Sequence, residues 1–162
     1  LLIDNGIEFE EGASCEDIEW NARLLCVVKK VVLEPSCIYA YRVRQNSSSH
    51  TISSQYIHQL LRVIGKMIAA EPERSELFLT LYRGYVAFQY CTVLINARIC
   101  RPKLSREELR QVKKLAWLLQ YDSNRIVKLI HTVYRVLGFD LTSWLLVVYF
   151  KLFCKCKYCS IP

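Results

Sequence analysis

Residues 75–99 read SELFLTLYRGYVAFQYCTVLINARI, and the fold turns on this stretch. Leu77, Phe78, Leu79, Tyr82, Tyr85, Val86, Ala87, Phe88, Tyr90, Cys91, Val93, Leu94, Ile95, Ala97 and Ile99 point in every direction around a helix of about 3.6 residues per turn. A helix that is apolar all round has to be surrounded by other elements. At a rise of about 1.5 Å per residue it would span roughly 37 Å, the width of a small domain. The expectation is therefore an all-α, single-domain helical bundle of six to eight helices around one central hydrophobic helix.

Both flanks supply candidates to cover it. On the N-terminal side, Ile57, Leu60, Leu61, Ile64, Met67 and Ile68 follow helical spacing over Ser54 to Ala70, and Glu71-Pro72-Glu73 stops that helix. Further upstream, Ser14-Cys15-Glu16-Asp17 has the spacing of a capping box. Ile18, Leu24, Leu25, Val28, Val31 and Val32 then form an apolar stripe that should run to Glu34-Pro35. Cys37 to Val43 fits either a short strand or a helical turn, and the serine-rich Gln45–Ser54 reads as a loop.

On the C-terminal side, Arg101-Pro102 closes the central helix and Ser105-Arg106-Glu107-Glu108 opens the next with a capping box. Leu109, Val112, Ala116 and Leu119 share a face of it. Asp122 or Ser123 should cap a further helix carrying Ile126, Leu129, Ile130, Val133 and Leu137, with Gly138 at its left-handed end. A last apolar segment covers Leu141 to Phe153. The chain thus divides into an acidic arm (1–16), a helical bundle (17–153) and a Cys/Lys-rich tail (154–162). The opening Leu1-Leu2-Ile3 meets Asp4 without a basic flank, which is not the pattern of a secretory leader.

The formal net charge is +7, unevenly spread. Residues 1–19 carry seven acids and no base, so the remaining 143 hold 22 bases against eight acids, or +14. Such a body suits nucleic acid, anionic lipid or an acidic peptide, or is simply a solvated surface offset by its own arm. The eight cysteines are not spaced as a disulfide framework; Cys26 and Cys91 lie inside apolar helical patterns, where a thiol acts as a small hydrophobe. Free thiols in a reducing, intracellular compartment follow from this.

Catalytic signatures are lacking: no G-x-S-x-G, H-E-x-x-H or P-loop occurs, and His50, His58 and His131 are isolated. The reading is a non-enzyme without a cofactor. Cys154, Cys156 and Cys159 form a C-x-C-x-x-C cluster, a weak zinc candidate because a closed site needs four ligands and Cys100 or His131 would have to arrive through folding. Ordinary thiols or reversible acylation are the alternatives. The apolar run after Ser143 falls short of the roughly 20 residues a membrane span needs, leaving a buried helix or peripheral membrane contact. Arg98, Arg101, Lys103, Arg106, Arg110, Lys113 and Lys114 crowd around one helix start and would suit phosphates, while most tyrosines sit in apolar contexts.

Two segments resemble the B-cell-lymphoma-2 (Bcl-2) family of apoptosis regulators, in a divergent form of the kind viruses carry. Leu60-Leu61-Arg62-Val63-Ile64-Gly65-Lys66 is similar to the family's third homology motif: Leu61 and Gly65 keep the spacing, and Lys66 stands where an acid is usual. Glu76-Leu77-Phe78 through Tyr82-Arg83-Gly84-Tyr85-Val86-Ala87-Phe88 is similar to the first homology motif, with Arg83 and Gly84 in reversed order. Trp117 to Phe139 resembles the second, and the apolar C-terminal segment the family's tail. The resemblance implies a surface groove that holds amphipathic helices of death-promoting partners. It would be lined by Leu61, Ile64, Met67, Tyr82, Tyr85, Val86 and Phe88, with Arg83 receiving an acid of the ligand. It also implies a cytoplasmic location with association to the mitochondrial outer membrane. A basic nucleic-acid-binding accessory protein and a homodimerising helical module are the alternatives.

Overall fold

A computed structural model describes residues 1–12, 15–40, 53–150 and 152. The described residues form α1 (Glu16–Val27), α2 (Ser54–Ala69), α3 (Glu76–Ile99), α4 (Arg106–Lys114) and α5 (Arg125–Tyr149), with 3-10 turns at Ile3–Asn5 and Leu115–Gln120. The described residues are all-α, as expected, but hold five α-helices where six to eight were anticipated for the chain. Residues 115–120 tighten into a 3-10 turn, the two C-terminal segments join as α5, and the first apolar stripe stops early. Helix α1 ends at Val27, and Val31, Val32 and Leu33 beyond it are exposed. Clustered β-branched residues resist helix propagation, and among the described residues nothing buries these to offset that. The Ser14 cap, the Gln45–Asn46 start of the serine loop, His50 and the C-terminal cysteine cluster lie outside the described residues.

Helix α3 contacts α2, α4, α5 and the 115–120 turn. Tyr82, Val86, Ala87, Tyr90, Cys91, Val93, Leu94 and Ala97 are buried on it, so its middle is enclosed as the sequence suggests. Its first turns are not: Leu77 is 73% exposed and Leu81 58%. With Phe88, also exposed, these residues share one outward stripe at i, i+4 and i+11.

Helices α2 to α5 each begin where a side chain satisfies a first backbone donor, whereas Cys15 before α1 gives no such bond. Ser53 Oγ accepts from the Tyr56 N–H (3.1 Å) and Ser75 Oγ from the Phe78 N–H (3.4 Å). The capping box at Ser105 is complete: its hydroxyl accepts from the Glu108 N–H (3.2 Å), and the Glu108 carboxylate accepts from the Ser105 N–H (2.6 Å). At α5 the cap is Asn124, whose Oδ1 accepts from the Ile126 N–H (2.8 Å), not Asp122 or Ser123. Gly138 has positive φ, as expected, and breaks α5 into two helical segments across a kink at φ 68, ψ −176, a conformation open essentially to glycine alone.

The arm is docked rather than detached. Ile7 is buried, and the Phe9 ring stacks on Trp20 (5.2 Å between centroids). Glu10 accepts from both Arg62 and Lys66 on α2, at 2.9 Å each.

Gly84 marks the closest approach of α3 to the turn before α5. A Cβ at this position would lie 1.9 Å from Ser123 Oγ and 3.3 Å from Ser123 Cβ. Gly84→Ala alone should therefore lose about 1 kcal/mol, the overlap outweighing the helix propensity it gains. In a Ser123→Gly background the same change should gain about 1 kcal/mol. Denaturant midpoints of the four proteins of this cycle check it, and additive effects would refute the contact.

Candidate functional site

The residues expected to line a groove divide by depth. Ile64, Met67, Tyr82 and Val86 are buried where α2 meets α3, Leu61 and Tyr85 are half-buried, and Phe88 is exposed on the outward stripe of α3. The structure thus brings Ile64, Met67, Tyr82 and Val86 together in the core and separates Phe88 from them. Tyr82 reaches α2 directly, its hydroxyl donating to the Met67 carbonyl (3.1 Å). Burial raises the Tyr82 phenol well above its usual range, and the hydroxyl stays a neutral donor.

Beside this contact, α1, α2 and α3 leave an open depression of about 390 Å³. Ala22, Cys26, Met67, Ala69, Ala70 and Tyr82 line it, with Glu19, Arg23 and Lys66 also on its walls. Two expected groove residues, Met67 and Tyr82, lie beneath this depression, each 2% exposed. The contribution of α1 was not foreseen, because no local pattern shows which helix will lie alongside. The Cys26 thiol donates to the Ala22 carbonyl (3.2 Å), and burial pushes its pKa up, so it contributes apolar surface rather than a nucleophile.

Arg83 follows Tyr82 at the partly exposed edge. Its guanidinium forms a two-pronged pair with Glu71, Nε to Oε2 at 2.7 Å and Nη2 to Oε1 at 2.5 Å. Glu71 comes directly after Ala70 of the depression. The Arg83 hydrogen bonds hold the Glu71 carboxyl below the usual carboxylate range. The guanidinium also lies over the Tyr121 ring (5.4 Å), which meets Trp117 edge-on (6.0 Å). Glu71 in this role escaped the sequence reading, which treated Glu71-Pro72-Glu73 only as a helix stop.

The two described histidines are tied to acids: His58 Nε2 lies 2.5 Å from Glu108, and His131 Nδ1 3.2 Å from Asp122. No group of three or more His, Cys, Asp or Glu poised for a metal occurs among the described residues. Cys100, a suggested fourth zinc ligand, is buried with its thiol donating to the Ala97 carbonyl. The described cysteines, Cys15, Cys26, Cys37, Cys91 and Cys100, are all free thiols. In the basic cluster, Arg98 is bound to Asp140 and Ser143 and Arg110 to Glu107, whereas Arg101, Lys103, Arg106, Lys113 and Lys114 are exposed.

No family model matches this chain, and no curated protein or solved structure matches it either.

Glu10, Glu71 and Glu108 share a titration consequence. Hydrogen bonds hold each below the ordinary value of 4.5: from Lys66 and Arg62 to Glu10, from Arg83 to Glu71, and from Ser105 to Glu108. A lowered folded-state pKa gives stability that is complete above the unfolded value and lost as pH falls through the folded one. Thermal stability should thus be level above pH 4.5 with respect to these groups and decline below it. Glu71→Gln should flatten part of that decline in melts taken across the acid range; an unchanged profile would show that the Arg83 pair adds nothing.

Proposed function

We propose that this protein is a non-enzymatic, helix-binding regulator of cell death that holds an amphipathic helix of a death-promoting partner across the α1–α2–α3 depression. The observation that carries the reading is the Arg83–Glu71 pair beside that depression. An arginine held two-pronged by an acid at a half-exposed edge is a ready receptor for a ligand carboxylate, and Glu71 occupies the place such a carboxylate would take. Apolar residues of the ligand at i, i+3 and i+4 would meet the exposed Ala69 and Ala70 and the half-buried Cys26, with Met67 and Tyr82 beneath them. The +7 chain would speed its encounter with an acidic helix. This deepens the resemblance to the apoptosis regulators while moving the groove: it gains α1 and lies over Met67 and Tyr82, which are core residues like Ile64 and Val86. An inhibitory role fits better than a death-promoting one, since α2 would have to leave the core to serve as a ligand; Ile57, Leu60, Ile64 and Met67 are all buried. The setting proposed is intracellular, in the cytoplasm and at the mitochondrial outer membrane.

Titration with amphipathic death-motif peptides tests this. Dissociation constants of about micromolar or tighter are expected, weakened roughly tenfold or more by Arg83→Ala and tightened by Glu71→Gln, which releases the arginine. Equal affinity in all three proteins would sink the reading. Salt-sensitive binding of short RNA or DNA with no peptide binding would instead favour the exposed cations of α4, Arg106, Lys113 and Lys114, as a phosphate-binding face.

A further inference from the structure

The walls of the depression carry one acid, Glu19, and two cations, Arg23 on α1 and Lys66 on α2. Both cations are bonded to the acidic arm. Arg23 donates to the Gly6 carbonyl (3.4 Å) and to the Glu8 carbonyl, and Lys66 Nζ donates to Glu10 Oε2 (2.9 Å). The other oxygen of Glu10 accepts from Arg62, which is not among the residues lining the depression. No residue of the arm lines it either, so the arm acts on the charge of the rim and leaves the space open.

The arm is held lightly. Of residues 1–12 only Ile7 is buried. Phe9 is largely exposed although it stacks on Trp20, and the Glu10, Arg62 and Lys66 side chains are 37%, 51% and 43% exposed. Ion pairs this wet contribute little and are screened by salt. The contacts are those of a bound peptide: one apolar anchor, one ring stack, one carboxylate shared by two cations, and two main-chain carbonyls on an arginine. A ligand that offers its own carboxylate to Lys66 makes the same charge-assisted bond that Glu10 makes, and so replaces it at small cost. Arg23 keeps its bond to Glu19 (2.9 Å) when the arm leaves, so Lys66 is the rim cation that release makes available. We propose that residues 6–10 form a self-inhibitory strap: Glu10 occupies Lys66, a rim position that reads an acid of the ligand helix, and an acidic helix enters by displacing it. The inference rests on helix binding at the α1–α2–α3 depression, and adds to it a second acid-reading position besides Arg83 and a means of regulation.

Titration of the full chain with an acidic amphipathic helical peptide at low salt tests it. Glu10→Gln should tighten binding about fivefold. Arg62→Gln should tighten it too, although it removes a cation, because it loosens the strap and touches nothing in the depression. Glu11→Gln, which removes the same charge from the exposed neighbouring position, should change affinity by less than about twofold. In the Glu10→Gln background, Lys66→Gln should cost about fivefold. These side chains lie at the surface, so far-ultraviolet circular dichroism of every variant should match the unaltered protein. Peptide binding that neither Glu10→Gln nor Arg62→Gln tightens would overturn the strap and leave helix binding standing. Tightening by Glu10→Gln with weakening by Arg62→Gln would reduce the effect to net charge and overturn it as well. No peptide binding by any of these proteins would sink the strap and the helix-binding reading together.

Discussion

The rest of the structure depends on the removal of α3 from water between Tyr82 and Ala97. A helix so uniformly apolar has no side to leave in solvent, so its neighbours are fixed by what it needs covered. Burial alone does not set their positions, because the hydrophobic effect has no direction. Directed hydrogen bonds from α3 supply the registration. Tyr90 is fully buried, and its hydroxyl donates to the Val112 carbonyl (2.8 Å), which locks α4 at one height against α3. Tyr82 does the same for the end of α2 through Met67. A buried phenol without a partner costs about 1–3 kcal/mol, so a slip of either helix is penalised.

What the sequence made legible was local. Helix α2, the extent of α3 and the box at Ser105 follow from side-chain spacing and cap chemistry, and each is where those rules put it. Periodicity, however, gives the apolar side of a helix without saying whether anything lies against it. Leu77 and Leu81 belong to the apolar rod and still face outward, and Val31 and Val32 continue a stripe that has no neighbour to rest on. The cap of α5 went to Asn124 over Asp122 because Asp122 is engaged with His131, a contact invisible before the chain turns. The candidate site was half legible for the same reason. Met67, Tyr82 and Arg83 stand out by type and position, but Glu71 and the wall given by α1 arise from long-range packing.

Acids are scarce in this chain, 15 against 22 bases, and the fold uses them internally. Glu10 spans Arg62 and Lys66, Glu71 holds Arg83, Glu108 closes a cap while meeting His58, and Asp140 meets Arg98. These half-exposed pairs add little stability individually. Their collective effect is on the exterior: with so many acids engaged, cations such as Arg106, Lys113 and Lys128 face solvent. Each pair takes up cations as well as acids, so the exterior keeps the net charge of +7, and the proposed encounter with an acidic helix draws on that.

The same acid explains why α5 tolerates an apolar outer side. Rotating its second half by half a turn would bury Leu141 and Trp144 and expose Thr142 and Ser143, which hydrophobicity alone favours. Arg98, partly buried on α3, opposes this. Its guanidinium donates to Ser143 Oγ (3.0 Å) and to Asp140, and it lies over the Phe139 ring (5.9 Å). Rotation would break those contacts and would also bring out Phe139, which is buried, and Leu146, which packs against the core. Gly138 permits the reset, because only its backbone reaches φ 68, ψ −176, so the residues after it need not continue the face set before it. The Thr142 hydroxyl, buried without a partner among the described residues, records the compromise. After Gly138 the inward side of α5 therefore mixes Phe139 and Leu146 with two hydroxyl residues, and Leu141 and Trp144 stay exposed among the described residues.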